Sequence, residues 1–372
     1  MASTALFSQT IDHYLAPIRR FLDDESVSEV MVNAPDEIYV ERDGELVKTD
    51  ARFVDTETYE AAINNVLQFT GKSLRDDAAL IDARLPDGSR VHVAKEPCAR
   101  HGTVMSIRKF AKSMLDLDWL MELGTITSEA REFLEIAVQA ERNVLVAGGT
   151  SSGKTSLLNA LSAMIPRDQR LVVIEDSAEL QLQQDHVISL ETKQADRFGR
   201  GAVGIRELFR SSLRLRPDRI IIGEVRGGEA LEMIQAMTSG HGGSMGTLHA
   251  NAPLDALNRL ETMALMSEVE LPLSALRSQV SSAIDIIVQM SRQIGGRRLV
   301  TQITEVLPLG DHGYYQTRDL FAQEQIADDA GGKAMWLNWT GEVSAMAGRL
   351  RPEEAARITR LTAGLFGKNE TP

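Results

Sequence analysis

The chain has 372 residues, 43% of them hydrophobic and 25% charged, a composition that suits a soluble globular protein of two domains or three small ones. Its net charge of −13 argues against general nucleic-acid binding, for which a basic footprint is expected. A single cysteine, Cys98, excludes an intrachain disulfide and a four-cysteine zinc module. The first ten residues lack a basic segment followed by a long apolar one, so no secretory signal is expected. No stretch approaches the run of about 18 apolar residues that a membrane span needs. The expectation is a cytoplasmic protein that meets a membrane only through partner proteins.

In chain order, residues 1–25 form an N-terminal helix, with Ile11, Leu15, Ile18 and Leu22 recurring at helical spacing. A small α/β domain follows over 26–110. Its strands are expected at Val30–Val32 and Ile38–Val40, with Asp43-Gly44 as a hairpin turn. Tyr59, Ile63, Val66 and Leu67 mark a helix over 56–70. Further strands are expected at Ala83–Leu85, Arg90–Val93 and Val104–Arg108, the first two joined by Pro86-Asp87-Gly88. Residues 111–126 read as a linker. From 127 to 310 near-continuous apolar strands alternate with helices, the pattern of a parallel sheet covered on both faces. Its strands fall at Val144–Ala147, Leu171–Ile174, Val187–Leu190, Ile220–Ile222 and Gly246–Leu248, and a terminal hairpin pairs Ile284–Met290 with Leu299–Val306. Residues 311–372 form a C-terminal extension of mixed pattern ending in a helix over Pro352–Leu365.

The most informative segment is Gly148-Gly149-Thr150-Ser151-Ser152-Gly153-Lys154-Thr155, a complete G-x-x-x-x-G-K-[ST] phosphate-binding loop between a buried strand and a helix that begins with Ser156. Backbone N–H groups of such a loop converge on phosphate oxygens, and the helix directs its positive end at the same anion. Lys154 reaches the β- and γ-phosphates of ATP, and the Thr155 hydroxyl serves Mg²⁺. Two apolar strands then end in acids: one at Glu175-Asp176 with Glu179 beyond, the other at Glu224. Ligands of open parallel sheets bind at the carboxyl ends of strands, where these acids emerge. There Glu224 can hold Mg²⁺ or orient the attacking water, and either Glu175 or Glu179 can be catalytic while the other caps a helix. His241 and His249 lie in a glycine-rich stretch beyond, with His249 at a strand end near the expected γ-phosphate. Arginines form a fourth group: Arg84, Arg90 and Arg108 in the first domain, and Arg210, Arg214, Arg216, Arg219 and Arg226 around the second acidic strand. A guanidinium pairs bidentately with phosphate oxygens, but ordinary salt bridges account for most arginines in any chain.

The loop GGTSSGKT, the acidic box VIEDSAEL, the segment RPDRIIIGEVRG and the histidine box SGHGGSMGTLHAN together resemble the ATPase superfamily of type II and type IV secretion and type IV pili. GEVRGGEALEMIQAM, SAIDIIVQMSR, DARLPDGSRV and SIRKF look most like its Flp (tight-adherence) pilus assembly branch. The resemblance spans roughly residues 25–310. It implies an α/β chain with a PAS-like N-terminal domain and a RecA-like P-loop NTPase domain, nucleotide between them, and a homo-hexameric ring working on a polytopic inner-membrane platform protein. It also implies that Glu179 acts on the attacking water, that Glu224 serves Mg²⁺, and that His249 couples the γ-phosphate to motion. Arg84, Arg90 and Arg108 match first-domain positions that reach the phosphates. The tetracysteine element of many type II motors is missing, and the long N-terminal extension of Flp motors is reduced to a short helix. A nucleic-acid translocase with a RecA-like ring and a nucleotide-gated scaffold with little hydrolysis stand as the alternatives; no direct nucleic-acid partner is expected.

Overall fold

A computed structural model of the chain describes residues 10–11, 13–74, 78–110, 116–193, 195, 199–293, 295–327, 333–346 and 350–368. The chain divides into two compact units, Met1–Ser113 with Arg197–Arg200, and Met114–Asp196 with Gly201–Pro372.

The first unit is built on a six-stranded sheet: β1 (Val27–Ala34), β2 (Glu37–Arg42), β3 (Glu45–Lys48), β4 (Leu80–Arg84), β5 (Arg90–Ala94) and β6 (Val104–Arg108). The strands run in the order β3-β2-β1-β6-β5-β4, and every neighbouring pair is antiparallel. Alternation decides which face is buried: Val30, Val32, Val91, Val93, Met105 and Ile107 point into one core while their neighbours face out. The helix Thr56–Phe69 closes that core with Tyr59, Ile63, Val66 and Leu67, and its N-cap, Asp55, accepts a 2.7 Å hydrogen bond from Thr58 N. At the β2–β3 turn Asp43 and Gly44 both have positive φ, the backbone that a two-residue hairpin requires. The N-terminal helix runs Ala16–Asp23, with Ile18 and Phe21 buried; residues 1–9 lie outside the described set.

The second unit carries nine strands: β7 (Val144–Gly148), β8 (Leu171–Glu175), β9 (Val187–Glu191), β10 (Arg219–Ile222), β11 (Met245–Leu248), β12 (Ile286–Arg292), β13 (Arg298–Leu307), β14 (Gln316–Ala327) and β15 (Lys333–Trp339). Their order is β15-β14-β13-β12-β7-β11-β10-β8-β9. From β12 to β9 every pairing is parallel, and from β12 to β15 every pairing is antiparallel. Parallel strands covered on both faces leave no polar side to present, so β7, β8, β10 and β11 are buried at every residue. Successive side chains feed opposite cores. Val144, Val146, Leu171 and Val173 join one, and Leu145, Ala147, Val172 and Ile174 join the other. Helices Ser128–Gln139 and Lys154–Ser162 pack on the first face; Glu229–Thr238, Pro253–Leu265 and Leu273–Ala283 pack on the second.

Two segments differ from the expected outline. Within the stretch read as a linker, Leu117–Glu122 is a helix whose Leu117 and Leu120 enter the second unit's core; residues 111–115 lie outside the described set. Residues beyond 310 extend the sheet with β14 and β15, and the helix Pro352–Lys368 follows. A buried carboxylate ties this region down. Glu305 on β13 accepts hydrogen bonds from Ser344 Oγ at 3.0 Å, Ala345 N at 2.9 Å and Met346 N at 3.0 Å. Replacing Glu305 by alanine takes the acceptor from all three donors, and of these Met346 N keeps a second one, Ser344 Oγ at 3.1 Å. The expected loss is about 2–4 kcal/mol in urea unfolding, with faster amide exchange at 344–346.

Candidate nucleotide site

Because β7, β8, β10, β11 and β12 are mutually parallel, their carboxyl ends meet at one edge of the sheet. The loop from Gly148 to Gly153 leaves β7 there and turns into the helix Lys154–Ser162. Gly148 has no room for a side chain, since a Cβ would lie 2.5 Å from Ser152 Oγ and 2.6 Å from the Met290 carbonyl oxygen. Gly153, at φ 95°, is the N-cap, and Ser151 also takes a left-handed φ of 57°. The loop is pinned from within: the Gly149 carbonyl accepts from Ser152 Oγ at 2.9 Å and from Lys154 Nζ at 2.8 Å. It is also pinned from β13, where Arg298 Nε donates to the Ser151 carbonyl at 3.1 Å. Thr155 and Ser156 lie on the first turn of the helix, both half-buried like Gly149, while Thr150 is exposed.

Lys154, only 8% exposed, brings Nζ to 3.4 Å from His249 Nδ1, and His249 Nε2 lies 2.7 Å from Glu224 Oε1. The ring therefore stands between a cation and a carboxylate. Burial and the Lys154 charge hold its pKa below the ordinary histidine value against the opposing pull of Glu224. The arrangement fits a neutral ring with its proton on Nε2. The Nε2 contact is not aligned as a hydrogen bond, so Glu224 Oε1 is a buried oxygen without a hydrogen-bond partner among the described residues. The other oxygen of Glu224 accepts from Arg226 Nε at 2.8 Å, and Arg226 Nη1 reaches Asp176 Oδ2 at 3.2 Å. Arg226 thus ties the two acidic strand ends together.

Glu175 is engaged with the backbone beyond its strand. It is 4% exposed, and its Oε1 accepts from Glu179 N at 2.9 Å and Leu180 N at 3.0 Å, so it holds the turn that presents Glu179. Burial pushes its carboxyl up to about 7, against the two backbone donors that pull it down. Gly223 makes the approach possible, because a Cβ there would come within 2.9 Å of Glu175 Cγ. Glu179 itself is half-buried.

In the first unit, Arg84, Arg90 and Arg108 are direct cross-strand neighbours, Arg84 opposite Arg90 and Arg90 opposite Arg108. The same register row continues to Glu29 on β1, the cross-strand partner of Arg108, so a carboxylate stands at its end. Of the arginines around the second acidic strand, Arg219 is structural: it is 1% exposed and donates to Gln169 Oε1 and the Val138 carbonyl at the far, amino end of β10. Arg210 pairs with the buried Glu232. Arg298 and the part Arg226 plays at the acids were not picked out from sequence; the adjacency of Arg226 to Glu224 was the available signal, whereas Arg298 arrives across a hairpin and had none.

A family model described as type II/IV secretion system protein matches residues 12–334. The type IV secretion system protein PtlH of Bordetella pertussis is 35% identical over 322 residues, covering 79% of this chain and 94% of PtlH. The conjugal transfer protein TrbB of Rhizobium radiobacter is 33% identical over 314 residues, covering 83% and 91%. The structure of the pilus retraction motor PilT with bound ADP superposes with a TM-score of 0.55 at 16% identity, over 97% of this chain and 89% of that one, a likeness of fold.

The raised Glu175 carboxyl has a consequence for stability. Between its ordinary value near 4.5 and about 7 the folded chain binds more protons than the unfolded one, so stability falls as pH rises through this window and stays lowered above it. Glu175→Gln keeps an oxygen for the two backbone donors and removes the titration. Denaturation at pH 4 and pH 8 should show the wild type losing roughly 3 kcal/mol more than the variant over this interval.

Proposed function

This chain belongs to the type II/IV secretion system protein family, and from that premise we propose that it hydrolyses ATP to drive secretion or pilus assembly. The observation that carries the reading is the line Lys154–His249–Glu224 at the root of the phosphate loop, 3.4 Å and 2.7 Å between successive partners. Nothing in phosphate binding alone calls for a histidine between the loop lysine and a strand-end acid. A site that must report the γ-phosphate to the rest of the fold does.

Lys154 exchanges the Gly149 carbonyl for β- and γ-phosphate oxygens, and loop N–H groups take the remaining charge. Glu179 orients a water in line with the γ-phosphorus and accepts its proton as the bond to the bridging oxygen breaks, giving ADP and phosphate. Thr155 and Glu224 are the residues that would hold Mg²⁺; when bound it would neutralise β- and γ-oxygen charge. Oε1 of Glu224 suits that role: it is buried without an aligned hydrogen bond, with only the His249 ring beside it at 2.7 Å, and a carboxylate oxygen kept from water calls for a cation or a donor. His249 exchanges its Lys154 contact as the γ-phosphate arrives and leaves. The arginine row of the first unit supplies positive charge to the transferring phosphoryl group.

A homo-hexameric ring and a membrane platform protein complete the proposal. No helix among the described residues is long and apolar enough to cross a membrane, which supports attachment through a partner. The Flp-pilus reading rests on the segments Gly223–Met237 and Ser282–Arg292, with Asp82–Val91 and Ser106–Phe110 of the first unit in support. The conjugal-transfer and type IV secretion relatives favour a translocated cargo, and neighbouring genes for a pilin and prepilin peptidase would decide for the pilus.

Glu179→Gln should lower kcat for ATP by about 100-fold or more while leaving nucleotide affinity intact, and full turnover in this variant would sink the assignment. For Lys154→Ala the loss should fall on binding: a fluorescent ATP analogue should bind at least about tenfold more weakly. Arg108→Ala should reduce kcat with little change in analogue affinity, because its charge is needed only as the phosphoryl group transfers.

A further inference from the structure

The apolar strand β12 reads Ile286-Ile287-Val288-Gln289-Met290, and the glutamine interrupts it at a position only 5% exposed. A primary amide in such a place is costly unless its polar atoms are engaged. Gln289 Nε2 lies 3.0 Å from the Ala250 carbonyl and 3.4 Å from the Met290 carbonyl, two acceptors that identify it as the nitrogen. Its Oε1 is buried with no hydrogen-bond partner among the described residues.

The position matters more than the bond. In the sheet β7 lies between β11 and β12, and Gln289 is in register with Ala147, one residue before the phosphate loop. Ala250 follows His249 on the chain leaving β11. The amide therefore reaches from one neighbour of β7 to the other, across the root of the loop. The same stretch of β12 touches that root directly, because the Met290 carbonyl is what a Cβ on Gly148 would strike at 2.6 Å. On the opposite side, Thr301 Oγ1 of β13 donates to the Gln289 carbonyl at 3.3 Å, so the staple is anchored to the antiparallel half of the sheet.

We propose that Gln289 is a positioning residue: its side chain staples the His249–Ala250 segment over the phosphate loop and holds the imidazole in line with Lys154 and Glu224. The inference rests on the catalytic reading of His249. The staple contributes nothing to nucleotide contacts, so its loss acts on the chemical step and on exchange between nucleotide states. A misplacement near 1 Å at a reacting group costs on the order of 100-fold in rate.

The test uses the full chain carrying Gln289→Met, which keeps volume and removes the donor, beside Gln289→Asn, whose amide is one methylene too short. Both should lower kcat about tenfold or more while the Kd of a nonhydrolysable ATP analogue stays within about threefold. Amide exchange should quicken at 249–251 and not at 148–155. A wild-type kcat with unchanged exchange at 249–251 overturns the proposal, as does a parallel loss of rate and affinity, which marks general destabilisation. His249→Ala separates the two layers: full turnover in that variant removes the catalytic reading of His249, while exchange at 249–251 in the Gln289 variants still decides whether the staple exists.

Discussion

The end of β7 leaves no room for a side chain, and the site depends on it. Gly148 is packed against the Met290 carbonyl and Ser152 Oγ so closely that no other residue fits. That contact fixes where the loop leaves the sheet and hence where Lys154 begins its helix. Gly223 repeats the device two strands further along, at the end of β10, letting Glu175 lie against the chain that carries Glu224. Two missing side chains thus allow three strand ends to converge, and the polar groups that follow them fall within reach of one another.

What converges is an arrangement of charges that cannot relax independently. His249 is held between Lys154 and Glu224, Glu224 is bound by Arg226, and Arg226 also engages Asp176. In a partly desolvated site each of these contacts is stronger than in water, and each unpaired atom is costlier. Any change in the charge facing Lys154 therefore alters the balance at His249, and through it at the acids. Glu175 belongs to the same layer but works through the backbone, fixing the turn at Glu179 with one buried oxygen.

Much of this was readable from the chain. The alternation of Val30, Val32, Val91 and Val93 declares the one-sided sheet of the first unit, and unbroken apolar runs at Val144–Ala147 and Leu171–Ile174 declare strands buried on both faces. Glycine spacing and the order of the acids placed the loop and Glu224 at strand ends. Other features were not legible for physical reasons. The outer strands β14 and β15 mix polar and apolar residues, so their period is weak until β13 supplies a partner for β14. Leu117–Glu122 is too short for helical periodicity to stand out. The Arg298 contact with Ser151 crosses 147 positions of sequence, and the engagement of Glu175 with the backbone of Glu179 and Leu180 depends on burial, which spacing does not encode. Gln289 was a visible signal that went unused: one amide within an otherwise apolar strand.

The central claim is that this constellation turns nucleotide over rather than merely holding it. Continuous detection of phosphate release from the purified chain at saturating ATP, with and without Mg²⁺, tests it most directly. The account expects sustained release of many phosphates per subunit, dependent on the metal. Stoichiometric ATP binding without continued phosphate release would contradict it and leave a nucleotide-gated scaffold in its place.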